Sequence, residues 1–342
     1  MQLLILYFFL IFFLSFFLFK IFKKFAEKNN FIDVPDELSS HVLKTPTGAG
    51  IIFSIILLLF YFILEYLIFN SKLDFHFPNR YYLLFFSTIL LGIIGFYDDI
   101  KNIHYIYRLL IHFFIVILSL PLFSINADIT LIFQLPYKII LIFFIFFYVY
   151  LINIYNFIDG ADGYLATNSI FVFIAYCLSF LNHENLNLNF NFLLSFIMIP
   201  ALLGYLIYNK PKAKLFMGDS GSIVMGYLIS YIFFVLIFEG QWDIALCIIF
   251  YPLLDVSITI LRKMKNGYNP WDRLFDYFFL RALSSTNFDH YKILMVSITY
   301  NILNLIVILL IIIYQIKFLV GVSFLLAVFK ILYFNKLIYR RV

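Results

Sequence analysis

Five aspartates in three short segments are the residues of this sequence whose types and spacing indicate chemistry. Asp98 and Asp99 are adjacent, Asp159 and Asp162 stand three apart with a glycine after each, and Asp219 lies between a glycine and a serine. Carboxylates that meet at one site bind a hard divalent cation such as Mg²⁺, together with the phosphate groups that share its shell. These segments therefore predict metal-assisted chemistry on phosphate-bearing molecules.

Two asparagines precede the second aspartate pair. Asn153 and Asn156 are three residues apart, which places them on one face of the last turn of a helix. Their carbonyl oxygens would then face Asp159. Because amide oxygens are also Mg²⁺ ligands, we expect both asparagines at the same site.

The third segment has two interpretations. Asp219 is followed by an apolar run, so it is expected either as a plain helix N-cap or as a metal ligand. The flanking Gly218, Ser220, Gly221 and Ser222 would leave backbone N–H groups at a helix N-terminus open to an anion. An acid beside an anion-binding turn is what a diphosphate substrate needs.

Basic residues near these segments are expected to attract phosphates. Each one taken singly has an alternative role in orienting the chain or binding lipid headgroups, but as a ring they complement a polyanion. The residues are Lys210, Lys212, Lys214, Arg262, Lys263 and Arg273.

The elements that position these residues are predicted from composition. The chain has 342 residues, of which 64% are hydrophobic and 13% charged, whereas soluble domains carry about 25% charged residues. Runs such as 3–18 and 139–152 are apolar at nearly every position, which excludes the strict alternation of a membrane β-barrel. At about 20 residues per crossing, we predict an all-α, polytopic membrane protein with about 11 transmembrane helices.

The predicted spans follow the apolar runs and their breaks, and no linker or repeat divides them. One membrane domain over residues 1–342 is the simplest organisation. The spans are expected near 2–19, 49–69, 81–97, 109–125, 136–155, 167–182, 191–208, 221–238, 244–261, 292–313 and 317–334.

The charges orient the spans. The first run lacks the basic lead and small-residue cleavage site of a secretory signal and is expected as a retained helix that starts outside. With alternating sides, twenty of the 24 Lys and Arg residues, including the tail from Lys330 onward, fall on one side, which is therefore cytoplasmic. The N-terminus is then outside, the C-terminus is cytoplasmic, and all five aspartates face the cytoplasm.

Cysteines and net charge exclude other classes. Cys177 and Cys247 lie inside apolar runs and indicate neither disulfides nor a metal site. The net charge of +5 is spread over many loops, so no nucleic-acid partner is expected.

With these residues in place, the sequence resembles the polyprenyl-phosphate N-acetylhexosamine-1-phosphate transferases of glycosyltransferase family 4. These bacterial enzymes initiate O-antigen and related surface glycans and are similar to the translocase that makes lipid I. The matching segments are Asp98-Asp99, Asn153 to Gly163, Phe216 to Ser222, Asp33-Val34-Pro35, His41, Pro46 to Gly50, Arg108-Leu109, and Asp255 to Arg262 with Gly267.

The resemblance implies a reaction at the cytoplasmic face of a bacterial inner membrane. A UDP-N-acetylhexosamine donates its sugar 1-phosphate to undecaprenyl phosphate, UMP is released, and Mg²⁺, or Mn²⁺ in its place, is the cofactor. A homodimer is also considered.

The resemblance also implies residue roles. Asp219 and Asn156 would hold the metal, and Asp98 and Asp99 would serve the lipid-phosphate nucleophile and the metal. Asp159 and Asp162 would hold the nucleotide or the metal shell, and Asp159 would be catalytic with Asp98 and Asp99. The substrate-binding residues are expected to be Asn153, Asp162, Phe216 stacked on uracil, Lys214, Arg262, Arg273 and His41.

The sequence departs from the family pattern at three places. The loop containing residues 269–277 has no histidine pair, Thr47 stands where an arginine is common, and the glutamine usual after Arg108-Leu109 is replaced near His112. These departures bear on sugar and diphosphate recognition, and they leave an inactive homologue as an alternative.

Three other classes are weighed. A transporter would carry ionisable residues near the middle of the membrane, whereas Glu65 and Asp255 are expected near span ends. An intramembrane aspartyl protease would place its two acids inside helices. A CDP-alcohol phosphotransferase would follow Asp159-Gly160 with Ala-Arg rather than Ala161-Asp162.

Overall fold

The chain folds as a bundle of apolar helices in a computed structural model. The structure describes residues 2–35, 40–69, 80–123, 136–180, 189–270, 276–284 and 289–338. Its helices are α1 Gln2–Lys28, α2 Ile51–Phe69, α3 Tyr81–Lys101, α4 Tyr105–Leu118, α5 Tyr137–Phe157, α6 Tyr164–Ser179, α7 Phe190–Asn209, α8 Asp219–Phe238, α9 Trp242–Lys265, α10 Phe278–Leu283, α11 His290–Tyr314 and α12 Val320–Ile338. Two short strands, β1 Ile32–Asp33 and β2 Thr45–Pro46, pair antiparallel.

The length of the helices confirms the polytopic prediction. Nine helices in the described ranges are long and apolar enough to cross a membrane, as segments of about 20 apolar residues must be. Two further apolar helices are shorter: Tyr164–Ser179 and the part of α2 from Ile51 to Ile63. These eleven correspond one for one to the predicted spans.

Helix α8 is the centre of the bundle. It packs against α2, α3, α5, α6 and α9, and nearly every residue from Ser220 to Leu236 is buried. A helix that is apolar on all sides and surrounded by others has no lipid-facing stripe. The bundle therefore holds the first residue of α8, Asp219, in a position fixed by its neighbours.

Several predicted boundaries are wrong by a turn. Helix α4 spans 105–118 rather than 109–125, because Pro121 and Ser119 end it in a short 3₁₀ turn at Leu120–Leu122. Helix α3 continues to Lys101 and is closed by Asn102 in the left-handed conformation. Asp98 and Asp99 are consequently helical residues of the last turn, not loop residues.

Two charged residues were placed wrongly. Asp255 lies well inside α9 and is fully buried, and Lys330, assigned above to the cytoplasmic tail, lies inside α12 and is 3% exposed. Their burial is tolerated because tyrosines and a serine surround them, as described below. Because both residues have partners within the protein, ionisable residues inside the spans are not by themselves evidence of a transporter here.

Candidate active site

Glycines bring the aspartate-bearing elements together. A Cβ placed on Gly95 of α3 would lie 2.6 Å from Ser220 Cα, and one on Gly50 would overlap the backbone of Gly221. Only residues without a side chain allow α3 and the turn before α2 to approach the start of α8 this closely. The approach sets Asp98 and Asp99 beside Asp219.

Asp99 caps helix α8 from a neighbouring helix. Its Oδ1 accepts the Asp219 N–H at 2.6 Å, and its Oδ2 accepts the Ser220 N–H at 3.2 Å. The first N–H groups of a helix have no partner within it and attract negative charge. The prediction that these groups are open to a substrate anion is wrong, because a carboxylate of the chain already occupies them. Asp219 itself is not the N-cap; Gly218 is.

Arg108 joins two of the carboxylates. Its Nη1 lies 2.7 Å from Asp98 Oδ2 and also contacts Asp219 Oδ2. Asp98 is 4% exposed and also accepts the Ile103 N–H at 2.5 Å, whereas the side chains of Arg108 and Asp219 are 33% and 29% exposed. The three charges form a cluster that is buried on the Asp98 side and open on the other.

The two asparagines have different neighbours. Asn156 donates to Asp219 Oδ1 at 3.1 Å and to Ser222 Oγ at 3.2 Å, so it belongs to the charged cluster. Asn153, one turn earlier on α5, donates to the Val149 carbonyl at 2.7 Å and lies 3.4 Å from His112 Nδ1. The structure therefore places Asn156, but not Asn153, on Asp219.

Asp159 lies in the turn after α5. Burial, and after it the negative charges of Asp219 and Asp162, raise its pKa from the ordinary 3.8 to about 7. Its carboxylate has no hydrogen-bond donor among the described residues. A carboxyl that is half-protonated near neutral pH is suited to sit beside other acids without full repulsion.

Asp162 organises the surrounding loops. Its Oδ2 accepts the backbone N–H groups of Lys212 and Ala213 at 3.0 and 3.1 Å. His290 accepts the Asp162 N–H on Nδ1 at 3.0 Å and donates from Nε2 to the Ser40 carbonyl at 2.8 Å. In this structure Asp162 contacts loop backbone rather than the charged cluster.

Phe216, on the loop before α8, lies against His41 of the first loop. Their rings meet edge to face with centroids 4.8 Å apart, and His41 Nε2 lies 3.8 Å from Asp33 Oδ2. Backbone hydrogen bonds from Phe216 to Pro46 and from Ala49 to Phe216 fix the ring relative to the first loop. The partly exposed ring of Phe216 is available for stacking.

The predicted basic ring is only partly described. Lys214 is exposed, and its backbone N–H bonds to the Tyr208 carbonyl. The Arg262 guanidinium lies 4.6 Å from the ring centroid of Phe278. Arg273 lies outside the described residues.

The donor set for a cation is smaller than predicted. Across the described ranges, no three His, Cys, Asp or Glu side chains group in a way that could hold a metal, so Asp99, Asp159 and Asp219 do not surround one ion. Three candidate ligands remain. They are the carboxylates of Asp98 and Asp219, which both contact one nitrogen of Arg108, and the amide of Asn156. One or two carboxylates completed by water and substrate phosphates are a typical Mg²⁺ site, so Asp98 and Asp219 fit the ion. Asn156 presents its amide nitrogen to Asp219, so it would become a ligand only with the amide turned over.

Sequence reasoning missed three partners of this centre. Arg108 was quoted among the matching residues but given no role, Ser222 was named only for the backbone of its turn and not for its hydroxyl, and His290 was not named. The available signal was electrostatic: two acids at a helix C-terminus require a nearby cation, and Arg108 is the described cation that meets one of them.

Comparisons with known proteins identify relatives of this chain. Residues 81–237 match the model of glycosyl transferase family 4. An undecaprenyl-phosphate alpha-N-acetylglucosaminyl 1-phosphate transferase of Thermotoga maritima is 25% identical over 282 residues, 82% of this chain and 81% of that protein.

Two phospho-N-acetylmuramoyl-pentapeptide-transferases are also similar. The protein of Staphylococcus carnosus is 29% identical over 66% of this chain and 73% of its own length. The protein of Staphylococcus saprophyticus is 34% identical over 55% of this chain and 61% of its own length. The resemblance predicted from the motifs is confirmed.

Proposed function

We propose a reaction for this chain from its similarity to glycosyl transferase family 4 over residues 81–237 and from its being an enzyme of the glycosyl-1-phosphate transferase type. A UDP-N-acetylhexosamine transfers its sugar 1-phosphate to undecaprenyl phosphate in a Mg²⁺-dependent step that releases UMP. The product would initiate a cell-surface glycan such as O-antigen. The site would face the cytoplasm from a bacterial inner membrane.

The cluster of Asp98, Arg108, Asp219 and Asn156 carries this proposal. Three chain segments far apart in sequence contribute to it, and its side chains hydrogen-bond one another. The cluster has an open side, since Arg108 and Asp219 are each about a third exposed. Chemistry between two phosphates needs charge neutralisation and alignment above all, which an arginine among metal-ligating acids supplies.

Mg²⁺ would be held by Asp219 with Asp98 and the Asn156 amide. When bound, the ion offsets the negative charge of the diphosphate. Arg108, which contacts both carboxylates, would supply a second positive charge at the phosphates. A phosphate monoester has a second pKa near 6 and is already ionised at neutral pH, so the lipid phosphate needs no strong base.

The surroundings of the cluster suit a lipid acceptor. Tyr97, Tyr107 and Leu110 flank Asp98 and Arg108 along the chain and are 56%, 63% and 59% exposed. An apolar surface that ends at a charged cluster can hold a polyprenyl chain along the helices and its phosphate at their ends. Phe216 would stack on the uracil of the donor, and Asp159 would act on the donor phosphates or the metal shell.

The test is UMP release by the purified protein. Undecaprenyl phosphate and a panel of UDP-N-acetylhexosamines are supplied with Mg²⁺, with Mn²⁺ or with a chelator. We expect UMP only with both substrates and a divalent ion. Release with lipid acceptor absent, or none with any donor, would contradict the proposal.

A further inference from the structure

A lysine and an aspartate are buried inside membrane-spanning helices, away from the charged cluster. Lys330 on α12 is 3% exposed and Asp255 on α9 is fully buried. Ionisable residues inside such helices are costly, and they generally have a specific partner and role. The reaction described above uses neither residue.

Three tyrosine rings enclose the ammonium group of Lys330. Its Nζ lies 3.6 Å from the ring centroid of Tyr251, 4.6 Å from that of Tyr300 and 5.2 Å from that of Tyr164. It also donates to Ser297 Oγ at 3.1 Å. Tyrosine faces attract a cation most strongly where water is excluded. The three tyrosines belong to α6, α9 and α11, so these three helices meet at Lys330.

Asp255 connects this cage to another part of the chain. Its Oδ2 accepts the Tyr251 hydroxyl at 2.7 Å, and its Oδ1 accepts the Phe278 N–H at 3.0 Å. Tyr251 therefore presents its ring to Lys330 and its hydroxyl to Asp255. The carboxylate in turn holds the first residue of α10.

The residues of this short segment pack on the turn that carries Asp159. Tyr277 stacks on Phe157 with centroids 6.0 Å apart, and Phe279 stacks on Tyr164 with centroids 4.5 Å apart. Leu280 approaches Gly160 so closely that a Cβ there would lie 3.1 Å away. All three contacts flank Asp159 along the chain, on both sides.

We propose that Lys330 is a positioning residue that, through Tyr251 and Asp255, holds residues 277–280 against the turn at 157–164. The turn carries Asp159 and Asp162. Lys330 of α12 therefore fixes the turn that forms one wall of the candidate site. The expected effect of Lys330 on turnover rests on the proposed function. The chain of contacts from Lys330 to the turn does not.

The link runs in series through one tyrosine. Lys330 lies over the ring of Tyr251, and Asp255 accepts the hydroxyl of the same residue. Replacing either Lys330 or Asp255 therefore interrupts the same path. Because the two changes act on one path, the double replacement should be no more severe than the stronger single one.

The experiment is hydrogen–deuterium exchange of the full chain in detergent, read on peptides covering 277–284 and 157–164. The variants are Lys330→Met, Asp255→Asn and the two combined. Ser323→Ala is the matched control, since Ser323 is a buried residue of the same helix that donates to Asn304 at 2.6 Å, outside the cage.

We expect both peptides to exchange at least about tenfold faster in each single variant, because a hydrogen bond to a buried carboxylate is weakened or lost. The double variant should exchange no faster than the faster single variant, and Ser323→Ala should leave both peptides unchanged. If Lys330→Met fails to accumulate, Tyr251→Phe provides the same test, because it keeps the ring and removes only the hydroxyl donor.

Unchanged exchange of both peptides in Lys330→Met or Tyr251→Phe would overturn the inference. So would equal acceleration in Ser323→Ala, which would indicate general loosening. UMP release is measured on the same samples, where we expect kcat to fall about tenfold in the single variants. If exchange responds as described but wild-type protein releases no UMP, the positioning role stands and the proposed function fails.

Discussion

The cap that Asp99 places on α8 makes a sharp prediction for Asp99→Ala. The substitution removes the acceptor of two backbone N–H groups, at 2.6 and 3.2 Å, together with a negative charge at a helix N-terminus. Hydrogen bonds to a charged group are worth about 1.5–3 kcal/mol each. Two at the lower end of that range give about 3 kcal/mol, before any macrodipole contribution.

This loss falls on the residue that presents Asp219. A penalty of about 3 kcal/mol lowers the fraction of correctly placed Asp219 by a factor of about 100, so kcat for UMP release should fall by that factor. Asp99→Asn keeps one acceptor oxygen and loses the charge, so its loss should be smaller, about tenfold. Asp289→Ala is the matched control, because Asp289 caps α11 by accepting the Lys292 N–H at 2.9 Å.

The pH profile separates positioning from base catalysis. If Asp99 only holds the helix, Asp99→Asn lowers kcat at every pH and leaves the shape of the profile intact. If Asp99 removes a proton from the acceptor, the acidic limb of the profile disappears. Wild-type kcat in Asp99→Ala, or loss of that limb in Asp99→Asn, would refute the reasoning.

Three further predictions follow from local geometry. Gly50→Ala should prevent accumulation of folded protein, because its Cβ would overlap Gly221. Gly321→Ala, with open space around the new Cβ, should accumulate normally and raise thermal stability slightly. Comparable yields of the two variants would contradict this. The pKa of Asp159 is raised to about 7, so its contribution to stability is full below its unfolded pKa near 4 and is lost as pH rises through 7. Asp159→Asn should reduce the fall in melting temperature between about pH 4 and 7. If melting temperature depends on pH in the same way in this variant and in wild type, Asp159 is not buried as described. Phe216→Ala should raise the KM for the UDP-sugar about tenfold and Phe216→Trp should restore it; a KM unaffected by either change would remove the stacking role.

The fold was predictable because bilayer length and apolar composition leave few alternatives. All eleven predicted spans correspond to helices, and errors concentrate where a local residue decides the end, as Asn102 does for α3. The burial of Lys330 was not predictable. Its position in an otherwise apolar run is typical of a lysine that reaches water at a helix end, and only tertiary packing brings three tyrosines around it.

The site was predictable as a set of residues rather than as a geometry. Asp98, Asp219 and Asn156 meet as expected, since each lies at the end of a helix on one predicted side. Asp99 and Asp162 have other partners because backbone N–H groups in turns and at helix starts compete for carboxylates. That competition depends on loop conformations, which periodicity and charge patterns do not describe.

The central claim is that Asp219, beside Asp98 and Asn156, holds the divalent ion on which phosphoryl transfer depends. The direct measurement is Mg²⁺-titrated UMP release from UDP-N-acetylglucosamine and other UDP-N-acetylhexosamines with undecaprenyl phosphate, for wild type and Asp219→Asn. We predict saturable Mg²⁺ dependence with at least one donor in wild type and at least about 1000-fold lower turnover in Asp219→Asn, with both proteins equally inserted in the membrane. Mg²⁺-independent release, or an Asp219→Asn variant as active as wild type, would contradict the account.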